Sequence, residues 1–445
     1  MQKGDQSEGN LQWWQLSLIG VGCIIGTGYF LGSSIAIKMT GPSVIIAFTL
    51  AAIGNYIVFN SLAKMTADHP EKGSFRTYAK QAFGRSVGFG SGWVYWLSEM
   101  LIVGSQLTAL SIFSRFWFQN TPLWVFASIY AILGILVMMI GTKGFEKLED
   151  LFAVIKVAAI LMFIIIAIIA LSGVLNKPAD PQIPTSIGEF FPEGATGLWS
   201  ALIFAFYAFG GIEIMGLMSM QLKNKEDAPK SGKIMLLLLG VIYVASLGLA
   251  LVLVSWDTFN QKESPFITAL GGFDLPFFPH VFTGAMIIAG FSTMVASLFA
   301  TTNILVTLAE EGDAPSLFSK KWKDKIALPS LGLTTVGVII SIVLSLLMPE
   351  KVYGYITTAA GLMLLYNWLL ILLSSGRLLK LTGWDQGKRW FGVVLLLVAA
   401  SGTLVDSSSR AGFFVSLAFI LVIGLVILKM RSVWKHQEEG ATQKE

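Results

Sequence analysis

The stretch that decides the fold covers residues 20–28 and reads GVGCIIGTG. It lies inside a long apolar segment, where four glycines within nine residues weaken a helix. A dinucleotide-binding loop would need a preceding strand and an acidic residue about 20 positions later, whereas this run is followed by GPSVI from Gly41. Two interpretations stay open. One is close helix packing through Gly22 and Gly26. The other is an unwound point at mid-membrane, where irregular backbone is tolerated only inside protein or around a cavity.

A second weak point favours the unwound interpretation. Residues 206–213 of a later apolar segment read FYAFGGIE, with two adjacent glycines. Glycine-interrupted segments at corresponding places in two halves of a chain indicate a transporter binding site. Freed amides at Gly26, Thr27 and Gly28 would then face an anionic group, helped by the positive end of the half-helix that follows.

The composition indicates an integral membrane protein. The 445 residues are 54% hydrophobic and 13% charged, whereas soluble domains carry roughly 25% charged residues. A helix needs about 20 apolar residues to cross a bilayer, and apolar runs of nearly that length recur along the chain. We predict twelve membrane-spanning helices, near residues 15–38, 43–64, 88–114, 122–142, 150–174, 195–221, 234–255, 281–309, 331–348, 353–375, 390–405 and 412–430.

Lysine and arginine residues orient these spans. The segments on the side of the two termini carry 24 of them, the six opposite loops carry 6, and Lys156 completes the total of 31. Cytoplasmic segments of membrane proteins are enriched in these residues. We therefore expect a multi-pass protein of the plasma membrane with both termini in the cytoplasm. The loop at 64–86 and the basic tail at 429–445 are expected to be solvated cytoplasmic faces.

Several other classes of protein are disfavoured. The single cysteine, Cys23, excludes a disulfide within one chain, and the three histidines show no metal-ligand spacing. The phosphate-binding pattern G-x-x-x-x-G-K-[ST] is absent, which argues against ATP hydrolysis. We therefore expect no enzymatic activity, no metal or cofactor, and no nucleic-acid partner.

Short motifs along the chain carry a family resemblance. The first span contains G-x-x-x-G-T-G-x-F-x-G at 22–32, and it is followed by GP at 41–42, GSF-x-TY at 73–78, GW-x-YW at 92–96, FGGIE at 209–213 and LAEEGDAP at 308–315. In order and spacing these motifs resemble the amino acid–polyamine–organocation (APC) superfamily, specifically its bacterial amino-acid permeases. Each motif alone is weak, and their succession is specific.

The resemblance implies an all-helical, LeuT-like fold in which ten helices form two inverted repeats and two further helices are peripheral. Applied to this chain, it implies a cytoplasmic N-terminal segment (1–14), a transport core (15–375) with repeats at about 15–174 and 195–375, two peripheral helices (390–430) and a cytoplasmic tail (431–445).

The resemblance also implies a substrate site at the two weak points. Amides around Gly26, Thr27 and Gly28 would hold a carboxylate, and an ammonium group would be held by the carbonyls of Ile24, Tyr207 and Gly210. Tyr207 would act as an aromatic gate, and Ser297 and Thr301 would border the side-chain pocket. The alternatives are that Tyr207 only packs and that the two hydroxyl groups bond their own helix backbone.

Lys156 is one of three charged residues predicted inside the membrane, where ionisable groups are functional candidates by default. A lysine near an interface can extend its ammonium group to water. By resemblance, sodium-independent family members carry a fifth-helix lysine whose ammonium group occupies a sodium site and braces the first helix. Burial disfavours the charged form, which suits a proton acceptor.

Glu213 and Glu99 are the other two intramembrane charges. Glu213 follows the second weak point by two residues and either carries a proton or braces freed amides of the broken helix. Glu99 departs from the family pattern, which more often places an acidic residue seven positions later, where this chain has Gln106. The two positions are about two helical turns apart and lie on roughly one face.

These features predict a secondary transporter for an amino acid, with a neutral substrate and proton-coupled or sodium-independent uptake. An amino-acid exchanger, or a carrier of cationic amino acids or polyamines, is the alternative that Glu99 keeps open. A channel or a receptor is a third interpretation of the sequence. The expected partners are the amino acid, the proton and the lipid bilayer, and the sequence leaves the oligomeric state open.

Overall fold

The computed structural model describes residues 11–71, 73–140, 142–175, 180–320, 327–347 and 351–442. Helices make up 82% of the structure. In this part of the chain, the isolated bridge between extended residues pairs Leu11 with Leu222. Most of the predicted N-terminal segment 1–14 and the last three residues of the predicted tail lie outside the described residues.

The helices follow one another along the chain with mostly short connections. In order they are α1 (Trp13–Ile24), α2 (Thr27–Phe30), α3 (Gly32–Thr40), α4 (Val44–Asp68), α5 (Ser74–Phe83), α6 (Arg85–Ser114), α7 (Leu123–Ile140), α8 (Thr142–Leu171), α9 (Ile187–Phe190), α10 (Gly194–Tyr207), α11 (Ile212–Met218), α12 (Ala228–Leu253), α13 (Pro265–Leu270), α14 (Phe278–Glu310), α15 (Leu328–Leu347), α16 (Val352–Leu378), α17 (Gly383–Gly402) and α18 (Ser407–Thr442).

Each predicted span coincides with described helical structure, but two spans are divided. The first consists of α1, α2 and α3, and the sixth consists of α10 and α11. By length and apolar composition, seven helical segments of the described chain can cross a membrane, and three shorter apolar helices lie among them. One of the seven, Thr27–Asp68, joins α2, α3 and α4 and covers parts of two predicted spans. The sixth span is too short to qualify because its two halves are separate helices. The predicted twelve spans therefore include helices that cross only together with a neighbour.

Apolar side chains cover the outer faces of the bundle, as expected of helices in contact with lipid. Val154, Ile165 and Leu425 are 66%, 57% and 67% exposed. Exposed apolar residues on this scale would be unfavourable in water, whereas hydrocarbon accepts them. The outward faces thus agree with the membrane location that the composition predicts.

The interior is organised around α6. This helix packs against both α14 and α16, while α12 packs against α4 and α10 against α3. The short helix α2 lies between α6, α10 and α14. The first break is therefore at the centre of the bundle, where side chains from several helices can reach its backbone.

Two segments predicted to be solvated faces are partly buried instead, which corrects that expectation. Within 64–86, helix α5 buries Phe75, Arg76 and Tyr78, and Arg76 is paired with Asp313, which follows the end of α14. In the tail, Trp434 is buried and its ring lies 4.7 Å from the Arg85 guanidinium. The charge-rich sequences of these segments did not indicate that they are partly buried. Long basic side chains are typical of solvated faces, but their apolar stems also cover apolar surface.

Candidate functional site

The first break separates α1 from α2. Ile25 and Gly26 are extended, with φ/ψ of −64°/114° and −149°/−165°, and helical geometry resumes at Thr27. An uninterrupted helix would pair the Gly22 carbonyl with the Gly26 amide, four residues on. The extended residues prevent that bond, so backbone groups on both sides of the break need other partners.

Side chains from distant helices supply some of these partners. Gln106 on α6 accepts a hydrogen bond from the Thr27 hydroxyl (2.6 Å) and a longer one from the Thr27 amide (3.4 Å). Tyr353 on α16 donates to the Thr27 carbonyl (3.0 Å). In this conformation the Thr27 amide, expected to face a substrate carboxylate, is therefore turned towards the Gln106 amide oxygen.

The second break separates α10 from α11 and is closed by local contacts. The Phe209 amide donates to the Phe206 carbonyl (3.0 Å), and the Gly210 amide donates to the Tyr207 carbonyl (2.9 Å). Gly211 has φ +108°, a conformation that glycine adopts without a steric penalty. Because a carbonyl oxygen has two lone pairs, the Tyr207 carbonyl keeps one acceptor site for a ligand.

The two breaks meet at one small cavity of about 70 Å³. A methyl group added at Gly28 would lie 2.8 Å from the Tyr207 ring, so only glycine permits this approach. The residues around the cavity come from the two broken spans, α6 and α14: Cys23, Ile24, Gly26, Gly28, Glu99, Ile102, Gln106, Tyr207, Ala208, Gly210, Gly211, Ile214, Thr293, Ala296 and Ser297.

A larger cavity lies on the side of the N terminus and adjoins this site. The N-terminal-side cavity measures about 570 Å³ and reaches Leu11 at its outer end. It shares Cys23, Ile214 and Ala296 with the lining of the site. The two spaces are therefore neighbours with a common wall of small and apolar side chains.

The opposite side of the protein has its own cavity of about 440 Å³, lined in part by Arg115 and Lys262. Its described lining shares no residue with the site. Aromatic side chains lie between the two: Tyr207 Oη is 2.5 Å from Ser105 Oγ, and Tyr353 holds the Thr27 carbonyl. The site is thus closed towards this side and adjoins the N-terminal-side cavity.

Lys156 on α8 reaches the first break. Its ammonium group is fully buried, donates to the Gly22 carbonyl (3.0 Å) and lies 3.4 Å from Glu149 Oε1. The Gly22 carbonyl is one of the groups that lost their helical partners at the break. The lysine therefore replaces a missing backbone hydrogen bond with a charged one.

Glu213 lies at the start of α11 and is fully buried. Trp368 Nε1 donates to its Oε2 (3.1 Å), and the backbone amides of Gly211 and Glu213 lie beside the carboxyl group, although Oε1 makes no hydrogen bond to the described residues. Since a helix N-terminus favours an adjacent negative charge, this position suits a brace of the second break.

Glu99 on α6 lines the site and is 1% exposed. Tyr95 and Ser297 lie beside its carboxyl group. Its Oε2 has no hydrogen-bond partner among the described residues. A buried carboxyl oxygen without a partner is energetically costly, so a ligand or a proton that supplied one would be favoured.

The remaining predicted residues separate into two groups. Ser297 lines the site, as do Ile24 and Gly210. Thr301, one helical turn beyond Ser297, lies outside the described lining, and its hydroxyl group donates to the carbonyls of Ser297 (2.9 Å) and Leu298 (3.0 Å). It therefore bonds its own helix, which is the alternative that we kept open.

Sequence reasoning missed two polar residues beside the breaks. Thr293 on α14 lines the site, and Glu149 on α8 pairs with Lys156. Glu149 lies seven residues before Lys156, so about two helical turns separate them on one face. This seven-residue spacing is the feature of the sequence that could have identified Glu149 as the partner of Lys156.

These features define a class of protein: a multi-pass membrane transporter, with two interrupted helices around a central site. The family model described as "Amino acid permease" matches residues 15–389. This chain therefore belongs to the amino acid permease family, whose fold has twelve transmembrane helices and a LeuT-like core. It is an amino-acid transporter of the plasma membrane.

Relatives in bacteria cover nearly the whole chain. The "Uncharacterized transporter YcgH" of Bacillus subtilis (strain 168) is 55% identical over 441 residues, which is 99% of this chain and 99% of that protein. The "Uncharacterized amino acid permease YvbW" of the same strain is 28% identical, with 95% and 96% covered. The "Aromatic amino acid transport protein AroP" of Salmonella typhimurium (strain SL1344) is 27% identical, with 96% and 95% covered.

Proposed function

We propose that the protein is a secondary active transporter that takes up neutral amino acids by alternating access around the two breaks. The observation that carries this proposal is the cavity between them, which adjoins one large cavity and is closed from the other. Following the distribution of lysine and arginine, both termini are cytoplasmic and the N-terminal-side cavity opens to the cytoplasm. The structure then corresponds to a state closed towards the outside.

The backbone of the breaks would bind the main chain of the substrate. Amides near Gly26 and Gly28 stand at the start of a half-helix, where a carboxylate is favoured. Carbonyls of Ile24, Tyr207 and Gly210 would accept from the ammonium group. The Gln106 amide oxygen would yield the Thr27 amide to the incoming carboxylate, an exchange that couples binding to movement of α6.

Lys156 supports a sodium-independent mechanism. A fixed ammonium group that holds the Gly22 carbonyl performs the task of a bound cation. Since lysine can lose a proton when buried, we propose that the proton is the coupling ion. Uptake into liposomes that required sodium would contradict this part of the proposal.

A neutral substrate is favoured by the apolar and small polar lining, which includes Ile102, Ala208 and Ser297. Aromatic amino acids, which the name of the AroP relatives mentions, belong to this neutral class. The second candidate is a cationic amino acid or polyamine, and the unpartnered Glu99 Oε2 is the observation in its favour.

Thermal-shift screening of the twenty amino acids on purified protein tests the substrate class. A ligand that binds only the folded form at 100 times its Kd stabilises it by about 2.7 kcal/mol. We expect neutral amino acids to raise the Tm. A response confined to lysine, arginine or polyamines would establish the second candidate instead.

Counterflow in liposomes then tests transport itself. Vesicles loaded with unlabelled substrate should accumulate labelled substrate transiently, whereas a channel would only dissipate the gradient. The Glu99→Gln variant separates the two substrate classes. It should keep uptake of a neutral substrate, and it should abolish uptake of a cationic one, because a buried cation would lose its counter-charge.

A further inference from the structure

Glu149 occupies an intermediate position between water and the buried lysine. Its Oε1 lies 3.4 Å from Lys156 Nζ, and its Oε2 accepts a hydrogen bond from Ser292 Oγ (2.6 Å) on α14. The Glu149 side chain is 12% exposed, whereas that of Lys156 is fully buried. One carboxylate thus contacts the lysine with one oxygen and is fixed by a neighbouring helix through the other.

The exposed part of Glu149 faces the N-terminal-side cavity, whose lining includes Glu149 and does not include Lys156. The other titratable residues in that lining are Cys23 and Tyr95, which are ordinarily neutral at physiological pH. Glu149 therefore contacts both Lys156 and this cavity.

The helices packed against α8 supply few competing charges. They are α1, α7, α12 and α14, and α1 and α7 contain no ionisable residue other than Cys23 and Tyr130. On α12, Lys230 lies over the Trp13 ring (4.0 Å) and Lys233 borders a separate groove. On α14, His280 and Glu310 lie near the two ends of the helix. The early residues of α8 itself include Glu146, Lys147 and Asp150.

We infer that Glu149 is the proton-transfer residue that connects Lys156 to water in the N-terminal-side cavity. The Lys156 N–H bond breaks and an O–H bond forms on Glu149, which converts the ion pair to a neutral amine and a carboxylic acid. The acid then releases its proton to water in the cavity and returns to a carboxylate. This inference rests on the proton coupling proposed above.

The transfer would also act on the first break. A neutral amine is a weaker donor than an ammonium group, because charge-assisted hydrogen bonds are about twice as strong as neutral ones. Loss of the proton would therefore loosen the bond to the Gly22 carbonyl. Release of α1 from α8 would in this way be linked to delivery of the proton.

The Glu149→Gln variant tests the inference in liposomes that contain a pH-sensitive dye. Glutamine preserves the shape of the side chain and removes its transferable proton. Substrate counterflow should persist at a reduced rate, because the variant breaks a buried ion pair but exchange needs no net proton movement. The number of protons moved per substrate should fall about tenfold or more. Exposed Glu226, on the same side of the membrane, provides the matched control Glu226→Gln, which should change neither quantity.

Three outcomes would overturn the inference. An unchanged proton-to-substrate ratio in Glu149→Gln would contradict it and leave the proposed coupling intact. Equal loss of counterflow and proton movement in a folded variant would show a purely structural role. Absence of substrate-linked proton movement in the unsubstituted protein would refute the proposed coupling together with this inference.

Ser292→Ala provides a second test if Glu149→Gln fails to fold. It removes the hydrogen bond that fixes Glu149 Oε2 and leaves the carboxyl group in place. Such a bond contributes about 0.5–1.5 kcal/mol, so the number of protons moved per substrate should fall about twofold to tenfold. An unchanged ratio of protons to substrate would contradict the inference.

Discussion

The two helix breaks differ in how their backbone groups are satisfied. The first is held from a distance, by Lys156 on α8, Gln106 on α6 and Tyr353 on α16. The second is held mainly by its own turn, through Gly211 and two local hydrogen bonds, and its backbone receives one bond from a distant helix, from Tyr243 on α12 to the Ala208 carbonyl. Contacts between helices can change when the helices move or when a proton leaves, whereas a local turn moves as one piece. The first break is therefore the responsive half of the site and the second is its fixed half.

Replacing Lys156 should give the largest effect on this comparison. Lys156→Met leaves the Gly22 carbonyl and Glu149 without their shared partner, and breaking a buried ion pair costs about 3–5 kcal/mol. We expect labelled amino-acid uptake to fall about 100-fold or more. The exposed Lys223 offers the control Lys223→Met, which should transport normally. Near-normal uptake by Lys156→Met would remove the distinction between the breaks.

Obstructing the close approach of Gly28 to the Tyr207 ring should have the next largest effect. In Gly28→Ala the new methyl group would lie 2.8 Å from the Tyr207 ring, so the two breaks must separate. We expect the apparent affinity for substrate to weaken about tenfold to 100-fold, as overpacking of a tight contact costs about 1–3 kcal/mol. Binding measured by thermal shift checks this. Gly284 on α14 has open space around it, so Gly284→Ala should bind normally.

Substitution of Gln106 tests whether the first break needs the hydrogen-bond acceptor that this side chain supplies to Thr27. Gln106→Leu leaves the buried Thr27 hydroxyl and amide without an acceptor, at a cost of about 1–3 kcal/mol. We expect about a tenfold loss of uptake. Gln106→Glu retains an acceptor at the same place and should retain more activity than Gln106→Leu. Equal activity of the two variants would show that the hydrogen bonds to Thr27 contribute nothing.

The second break should respond in stability more than in transport. Gly211→Ala places a side chain at φ +108°, a conformation that costs about 1–3 kcal/mol for other residues. We expect a Tm lowered by a few degrees and, in the folded fraction, counterflow within about threefold of normal. Gly332→Ala, at an unhindered position, is the control. A transport defect as large as that of Lys156→Met would show that the second break also moves.

The sequence predicted the places of both breaks because their cause is local. Glycines at Gly26, Gly28 and Gly210 weaken a helix wherever it lies, and the alternation of basic loops fixed the number of spans. The resemblance added the backbone groups expected at the site, and it directed attention to Lys156.

The partners of the first break were harder to predict because they are remote in sequence. Gln106 lies 79 residues from Thr27, and Tyr353 lies 326 residues from it. Helical periodicity identifies the face of one helix, but it does not identify the residue that a second helix brings opposite. Glu149 was missed for a related reason, since it lies in a charge-rich segment that resembles a solvated helix end. Thr301 shows the converse, because the resemblance placed it at the side-chain pocket, whereas it lies outside the lining of the small cavity and bonds its own helix.

Thiol labelling of Cys23 tests most directly whether the substrate binds between the breaks. This single cysteine lines both the site and the N-terminal-side cavity, so a maleimide that enters from that side reports on their common wall. Cys23→Ser supplies the unlabelled control, and an amino acid that gives no thermal shift supplies the control for solute. We predict that saturating substrate slows labelling at least about fivefold, because a bound ligand excludes the reagent from the small cavity. Labelling at the same rate with and without a transported amino acid would contradict a substrate site between the breaks.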